Sequence, residues 1–180
     1  SGHATVIATN AQNATDKNWK VKYSQNGTDI LTTGSYECNG GGGPEPNMDS
    51  YITLTVAKDS AIRLDFKAAA EGTPIRIVSG GITRNTTVGT GRKGTASYVA
   101  GSTTMTIYGD LTGFYCNANR AKLTALDPSH NTQLKWLHCS DNNLTNLNLP
   151  HNTQLEQLFC DGNNFSTQAL DDIYCALPDR

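Results

Sequence analysis

Cys116, Cys139 and Cys160, with His138 beside Cys139 and with His130 and His151 one period apart, are the residues best equipped for chemistry. A thiolate beside an imidazole can attack a carbonyl, and two imidazoles can share a metal. The segment Gly89-Thr-Gly91-Arg-Lys-Gly94 spells a glycine pattern that can cradle a pyrophosphate. Each of these readings meets a local objection. His138 and Cys139 are successive residues of an expected strand, so they point to opposite faces. No Cys-x-x-Cys pair occurs, and no acidic or thiol third ligand falls level with His130 and His151, which are therefore expected in solvent. The glycine segment needs a helix after it, whereas TASYVAG reads as strand and turn, so a hairpin loop is expected there. No catalytic residue, metal or cofactor is expected, and the chain reads as non-enzymatic.

The elements that must position these residues are set by a repeat. Residues 123–143 read LTALDPSHNTQLKWLHCSDNN, and residues 144–164 read LTNLNLPHNTQLEQLFCDGNN. Leu134, Leu137, Cys139 and Asn142 recur as Leu155, Leu158, Cys160 and Asn163, an offset of 21 residues. A degenerate earlier copy supplies Leu111, Phe114, Cys116 and Asn119. In each copy alternate strand residues turn inward, so Leu137 and Cys139 go to the core while Trp136, His138 and Ser140 face out. The asparagine amide bonds backbone groups that the following turn leaves unpaired. One copy cannot bury its own leucines; the next one covers them. The cysteines form a column of small buried side chains aimed the same way, which disfavours bridging. With five cysteines in all, the pair Cys38 and Cys175 is left as an open question.

The outward residues form three ladders across the repeat strands: Tyr115, His138, Phe159; Gly113, Trp136, Gln157; and Asn117, Ser140, Asp161. Exposed aromatic side chains on a rigid sheet make good anchors for a protein or a sugar. The three strands together offer roughly 250 Å², well below the ~800 Å² per partner of a standard interface. A partner is therefore expected to touch neighbouring structure as well.

The stretch from Leu111 to Asn164 resembles the leucine-rich repeats of Bacteroidetes cell-surface proteins, with their LTxLxxxxNTxLxxLxCxxN rhythm, and more distantly internalin-type adhesins. MTIYGDLTGFYC (residues 105–116) is similar to the β-rich segment that leads into such arrays. The resemblance implies a bacterial surface or secreted protein that binds a partner through the concave sheet of its repeats.

The remainder reads as β-structure. Ile52, Leu54 and Val56 share one strand face; so do Ile62, Leu64 and Phe66, then Ile75 with Ile77, and Met105 with Ile107. Residues 19–23 and 30–31 are further candidate strands, and NGGGGPEPN (39–47) is a link or long loop. Residues 166–178 predict a short helix capped by Ser166 or Thr167, with an apolar stripe of Leu170, Ile173 and Leu177 and a stop at Pro178. The expected architecture is mainly β: a small antiparallel sandwich-like domain (1–110, with 1–49 poorly defined) caps a short right-handed leucine-rich-repeat solenoid of parallel strands (111–180), ending in a short helix. A formal net charge of −2 gives no basic field for nucleic acid. No apolar run approaches the ~20 residues needed to span a bilayer. No export signal is present in these residues, and Ser1-Gly2-His3 fits an expression remnant left where one was removed; the extracellular or outer-surface location is what the resemblance implies. Sequons at Asn13, Asn26, Asn85, Asn143 and Asn164 are expected by chance in so Asn- and Thr-rich a chain. Two functions follow: a recognition or adhesion module for a protein or glycan ligand, or a spacer within a larger envelope protein.

Overall fold

The computed structural model describes residues 44–92 and 94–179. The candidate strands at 19–23 and 30–31, and Cys38 of the possible bridge, lie outside the described residues. Cys175 is a free, exposed thiol.

Ten strands and one helix occur among the described residues. Five strands form an antiparallel sheet: β1 (Tyr51–Val56), β3 (Thr73–Ser79), β4 (Ile82–Val88), β6 (Thr104–Tyr108) and β8 (Leu123–Asp127). Its order is β4-β3-β6-β1-β8. The other five form a mixed sheet: β2 (Ala61–Lys67), β5 (Ala96–Val99), β7 (Gly113–Tyr115), β9 (Trp136–His138) and β10 (Gln157–Phe159), in the order β10-β9-β7-β2-β5. The period-two pattern explains which faces meet. Ile52, Leu54 and Val56 of β1 are buried, as are Ile62, Leu64 and Phe66 of β2, Ile75 and Ile77 of β3, and Met105 and Ile107 of β6. Cross-strand pairing brings Leu54 opposite Met105 and Ile52 opposite Ile107. The inward residues of both sheets, including Leu111, Phe114, Cys116, Leu134, Leu137 and Cys139, belong to one continuous core cluster.

The helix α1 (Thr167–Ala176) starts where the sequence places it: Ser166 is its N-cap, and its hydroxyl accepts from the Ala169 N–H at 3.1 Å. Ile173 is buried, with Leu170 and Leu177 half-buried beside it.

The expected architecture of a capping sandwich on a separate solenoid is overturned. The repeat strands β7, β9 and β10 do pair in parallel, Phe114 with Leu137 and Leu137 with Leu158. They are only part of a mixed sheet, however, which β2 and β5 complete by antiparallel pairing; Phe66 lies opposite Phe114 and Ile62 opposite Tyr98. The opening segment of the first full repeat copy, LTALD, leaves that sheet altogether. It is β8, paired antiparallel with β1 in the other sheet, Leu126 opposite Leu54. The physical reason is strand length. Three-residue strands hold few ladder bonds, and β7 gains a seven-residue neighbour in β2. Repeat-to-repeat similarity reports that the same contacts recur; it is silent about what lies beside the first copy. The sheet carrying the outward ladders is accordingly an open one with edges at β10 and β5, not the concave lining of an arc.

The loop with the glycine pattern also differs from expectation. It joins β4 in one sheet to β5 in the other, so it is a crossover rather than a hairpin. A strand follows it, as the sequence predicts.

Candidate recognition face

An asparagine ladder fixes the register of the face. The Asn119 side chain accepts from the Arg63 N–H at 2.7 Å and donates to the Arg63 carbonyl at 3.0 Å, standing in for a peptide unit beside β2. Asn142 Nδ2 donates to the carbonyls of Cys116 and Cys139, while its Oδ1 accepts from the Asn119 N–H. Asn163 Nδ2 repeats the pattern on Cys139 and Cys160. Each amide therefore ties one strand end to the preceding one, which satisfies backbone groups that are buried at Asn119 and Asn142 and partly buried at Asn163. A second ladder, built by Asn131 and Asn152 of the two NTQL segments, is buried at the far side: Asn131 donates to Gly109 O, and Asn152 to Pro128 O and Asn131 O. Sequence reasoning missed this ladder. Its signal was present in the identical NTQ at the same 21-residue offset.

On that frame the outward residues fall into rows. In the first, β2 contributes Asp65 opposite Tyr115, followed by His138 and Phe159. The rings of Tyr115 and His138 meet edge to face at 6.5 Å, and those of His138 and Phe159 lie 5.1 Å apart. Phe159 is 50 % exposed. In the second row Lys67 is opposite Gly113, then Trp136, then Gln157. The Lys67 ammonium sits 3.7 Å from the Trp136 ring centroid, a close cation–π contact. Gly113 is buried under its neighbours; a Cβ there would meet Lys67 Cβ at 3.0 Å and the Tyr115 ring at 3.1 Å. The third row, Asn117, Ser140 and Asp161, ends with the Ser140 hydroxyl donating to the Asp161 carboxylate. That bond holds the Asp161 carboxyl below its ordinary range, helped by its own backbone N–H.

Two charged groups, whose pairing the sequence did not announce, complete the face. Asp65 is 2 % exposed, although it lies on the outward side of β2, because Arg92 and Tyr115 cover it. Its Oδ2 accepts from Arg92 Nε at 2.7 Å, and its Oδ1 from the Phe66 N–H at 2.9 Å. The Arg92 guanidinium also lies 4.0 Å from the Tyr115 ring centroid. The alternation of AIRLDFK put Asp65 on this face; nothing local to Arg92 announced its role, since it arrives on the crossover loop. Burial raises the Tyr115 hydroxyl pKa, with Arg92 opposing and Asp65 adding to the rise.

The remaining candidates are placed as follows. Leu111, Phe114, Cys116, Asn119, Leu134, Leu137, Cys139, Asn142 and Leu155 are buried, whereas Leu158, Cys160 and Asn163 are half-buried at the last strand. Cys116, Cys139 and Cys160 are free thiols, and burial raises the pKa of each. His138 and Cys139 do point to opposite faces, His138 to the outer rings and Cys139 to the core. The His130 ring stacks on Tyr51 at 4.2 Å with an interplanar angle of 14°, while Ser129 Oγ lies 3.2 Å from its Nδ1. His151 is exposed. Among the described residues no three His, Cys, Asp or Glu side chains are grouped to hold a metal, and no helix is long and apolar enough to cross a membrane. No family model matches the chain, and neither a curated protein nor a solved structure matches it.

Proposed function

We propose that the outer face of the mixed sheet is a non-catalytic recognition surface of a bacterial surface-exposed or secreted protein, and that it binds a protein or glycan outside the cell. The observation that carries this reading is the row Tyr115, His138, Phe159 beside Trp136, with ring positions fixed by adjacent strands and by Lys67 and Arg92. Aromatic rings held rigidly lose little entropy when a ligand stacks on them. With β2 and β5 added to the repeat strands, the face grows to about 400 Å². That is still about half of one side of a standard protein interface, so a glycan or a short peptide fits it better than a large globular partner.

One observation favours a second reading, a spacer in a larger envelope protein. Lys67 covers one face of Trp136 and Arg92 covers Tyr115, which is also how a face with no ligand would shield its rings. A glycan array and a peptide-library screen, run with wild type and with Trp136→Ala/Phe159→Ala, separate the two. The recognition reading expects ligands retained by wild type and lost by the double variant. Equal retention by both proteins, or by neither, overturns it.

A further inference from the structure

The repeat gives an internal standard for how each of its strands should be covered, and the last strand departs from it. Leu137 is 1 % exposed and Cys139 is fully buried; their counterparts Leu158 and Cys160 are half-buried. Leu158, Cys160, Phe165, Leu170, Tyr174 and Leu177 line a groove of about 460 Å³ between β10 and α1. Tyr174, at 63 %, is the most exposed large apolar side chain among the described residues, followed by Phe159 at 50 %.

The backbone shows the same departure. The Cys116 N–H donates to His138 O at 2.9 Å, and the Cys139 N–H donates to Phe159 O at 2.8 Å. The Lys135 carbonyl accepts from the N–H groups of Glu156 and Gln157. In a parallel ladder alternate residues bond to alternate sides, so the Glu156 carbonyl and the Leu158 and Cys160 N–H groups turn toward the free edge, while the Glu156 N–H stays with Lys135. The asparagines count the same way. Cys116 O accepts from Asn119 and Asn142, and Cys139 O accepts from Asn142 and Asn163. Cys160 O accepts from Asn163, and among the described residues no later asparagine supplies the second bond.

We infer that this edge is a docking site for an extended segment of a separate polypeptide, added as a parallel strand. The segment carries an apolar residue and a small residue two positions apart, both inward, and an asparagine three positions after the small one. The occupant's chemistry is set by what β9 receives from β10: leucine on leucine, cysteine on cysteine, and an amide bridging two carbonyls. Main-chain bonds supply the affinity, and the groove between β10 and α1 selects the inward side chains. The groove meets the outer face only at Phe159 and Asp161; Trp136 and His138 lie outside it, so either site can fail alone.

The test is a titration of isotope-labelled protein with a synthetic peptide of residues 123–143, carrying alanine for its cysteine so that no thiol exchange contributes. The expected result is that the Leu158 and Cys160 amide signals shift and their exchange with solvent slows, with Tyr174 ring signals moving as well. Replacing the peptide's asparagine at position 142 by alanine should weaken binding by about tenfold, the worth of one buried hydrogen bond. Leu158→Pro removes a free-edge N–H and leaves the β9 ladder in place; it should abolish binding while the Trp136 signals stay native. Should that variant not fold, the alanine peptide still decides. Absence of shifts at millimolar peptide overturns the inference. So do shifts confined to the Trp136 and His138 rings, and so does the same edge response to protein concentration alone, which would make the occupant a second copy.

Discussion

Replacing Asn142 by alanine removes three hydrogen bonds at one stroke: 3.0 Å to Cys116 O, 2.9 Å to Cys139 O and 3.0 Å from the Asn119 N–H. Asn142 is 7 % exposed, so its former partners stay largely cut off from water. Each buried group left unpaired costs about 1–3 kcal/mol. Both carbonyls keep one amide, from Asn119 and from Asn163 respectively, and a water can enter the space the side chain vacates. The expected loss is therefore about 3–5 kcal/mol rather than the full sum. Asn163 makes the corresponding bonds to Cys139 O, Cys160 O and the Leu144 N–H, but it is half-buried at the end of the ladder. Asn163→Ala should cost only about 1–2 kcal/mol, because solvent takes over part of the bonding. Urea unfolding of the two variants measures the difference, and hydrogen exchange should show the Asn119 amide losing protection in Asn142→Ala. A loss below about 1 kcal/mol for Asn142→Ala, or equal losses for both variants, refutes the reasoning that these amides bear stability in proportion to their burial.

Two further outcomes follow from the same geometry. With Cys38 replaced by serine, a thiol reagent should modify exposed Cys175 first and half-buried Cys160 more slowly, leaving Cys116 and Cys139 untouched until the chain unfolds; burial raises the pKa of the last three and shields them. Labelling of Cys139 in the folded protein at the rate of Cys175 contradicts that order. Tyr98 titrates above its ordinary range, chiefly through burial and secondarily through the Asp65 charge, with Arg84 opposing. In Asp65→Asn the charge disappears while the burial stays, so ultraviolet titration should show the Tyr98 hydroxyl moving part of the way down. No movement, or a rise, would mean that Asp65 carries no charge felt at Tyr98.

Much of the outer face of the mixed sheet was legible because its rows follow from strand alternation and a fixed offset. Once Leu137 and Cys139 point inward, Trp136 and His138 have no choice but the other side, and a 21-residue period puts Phe159 beside His138. The asparagines at 119, 142 and 163 were legible for a related reason, since a turn that buries its carbonyls requires an amide at the same place each time. Lys67 and Arg92 were not. Their contacts with Trp136 and Tyr115 span tens of residues and depend on which strand lies beside β7, and period and alternation carry no information about that.

The sequence by itself determined the local alternation of the strands, the parallel register of β7, β9 and β10, the helix that Ser166 caps, and the identity of the side chains on each face. These depend on spacing within the chain, and spacing is what a sequence states. Only the tertiary structure decided that the repeat strands join β2 and β5 in one open sheet while LTALD crosses to pair with β1. That choice rests on the burial of Phe114, Phe66 and Leu126 against partners far away in the chain. Hydrophobic contact is non-directional, so the same apolar residues would have been equally content inside a freestanding stack; the strand that happened to be available beside the first copy settled the outcome.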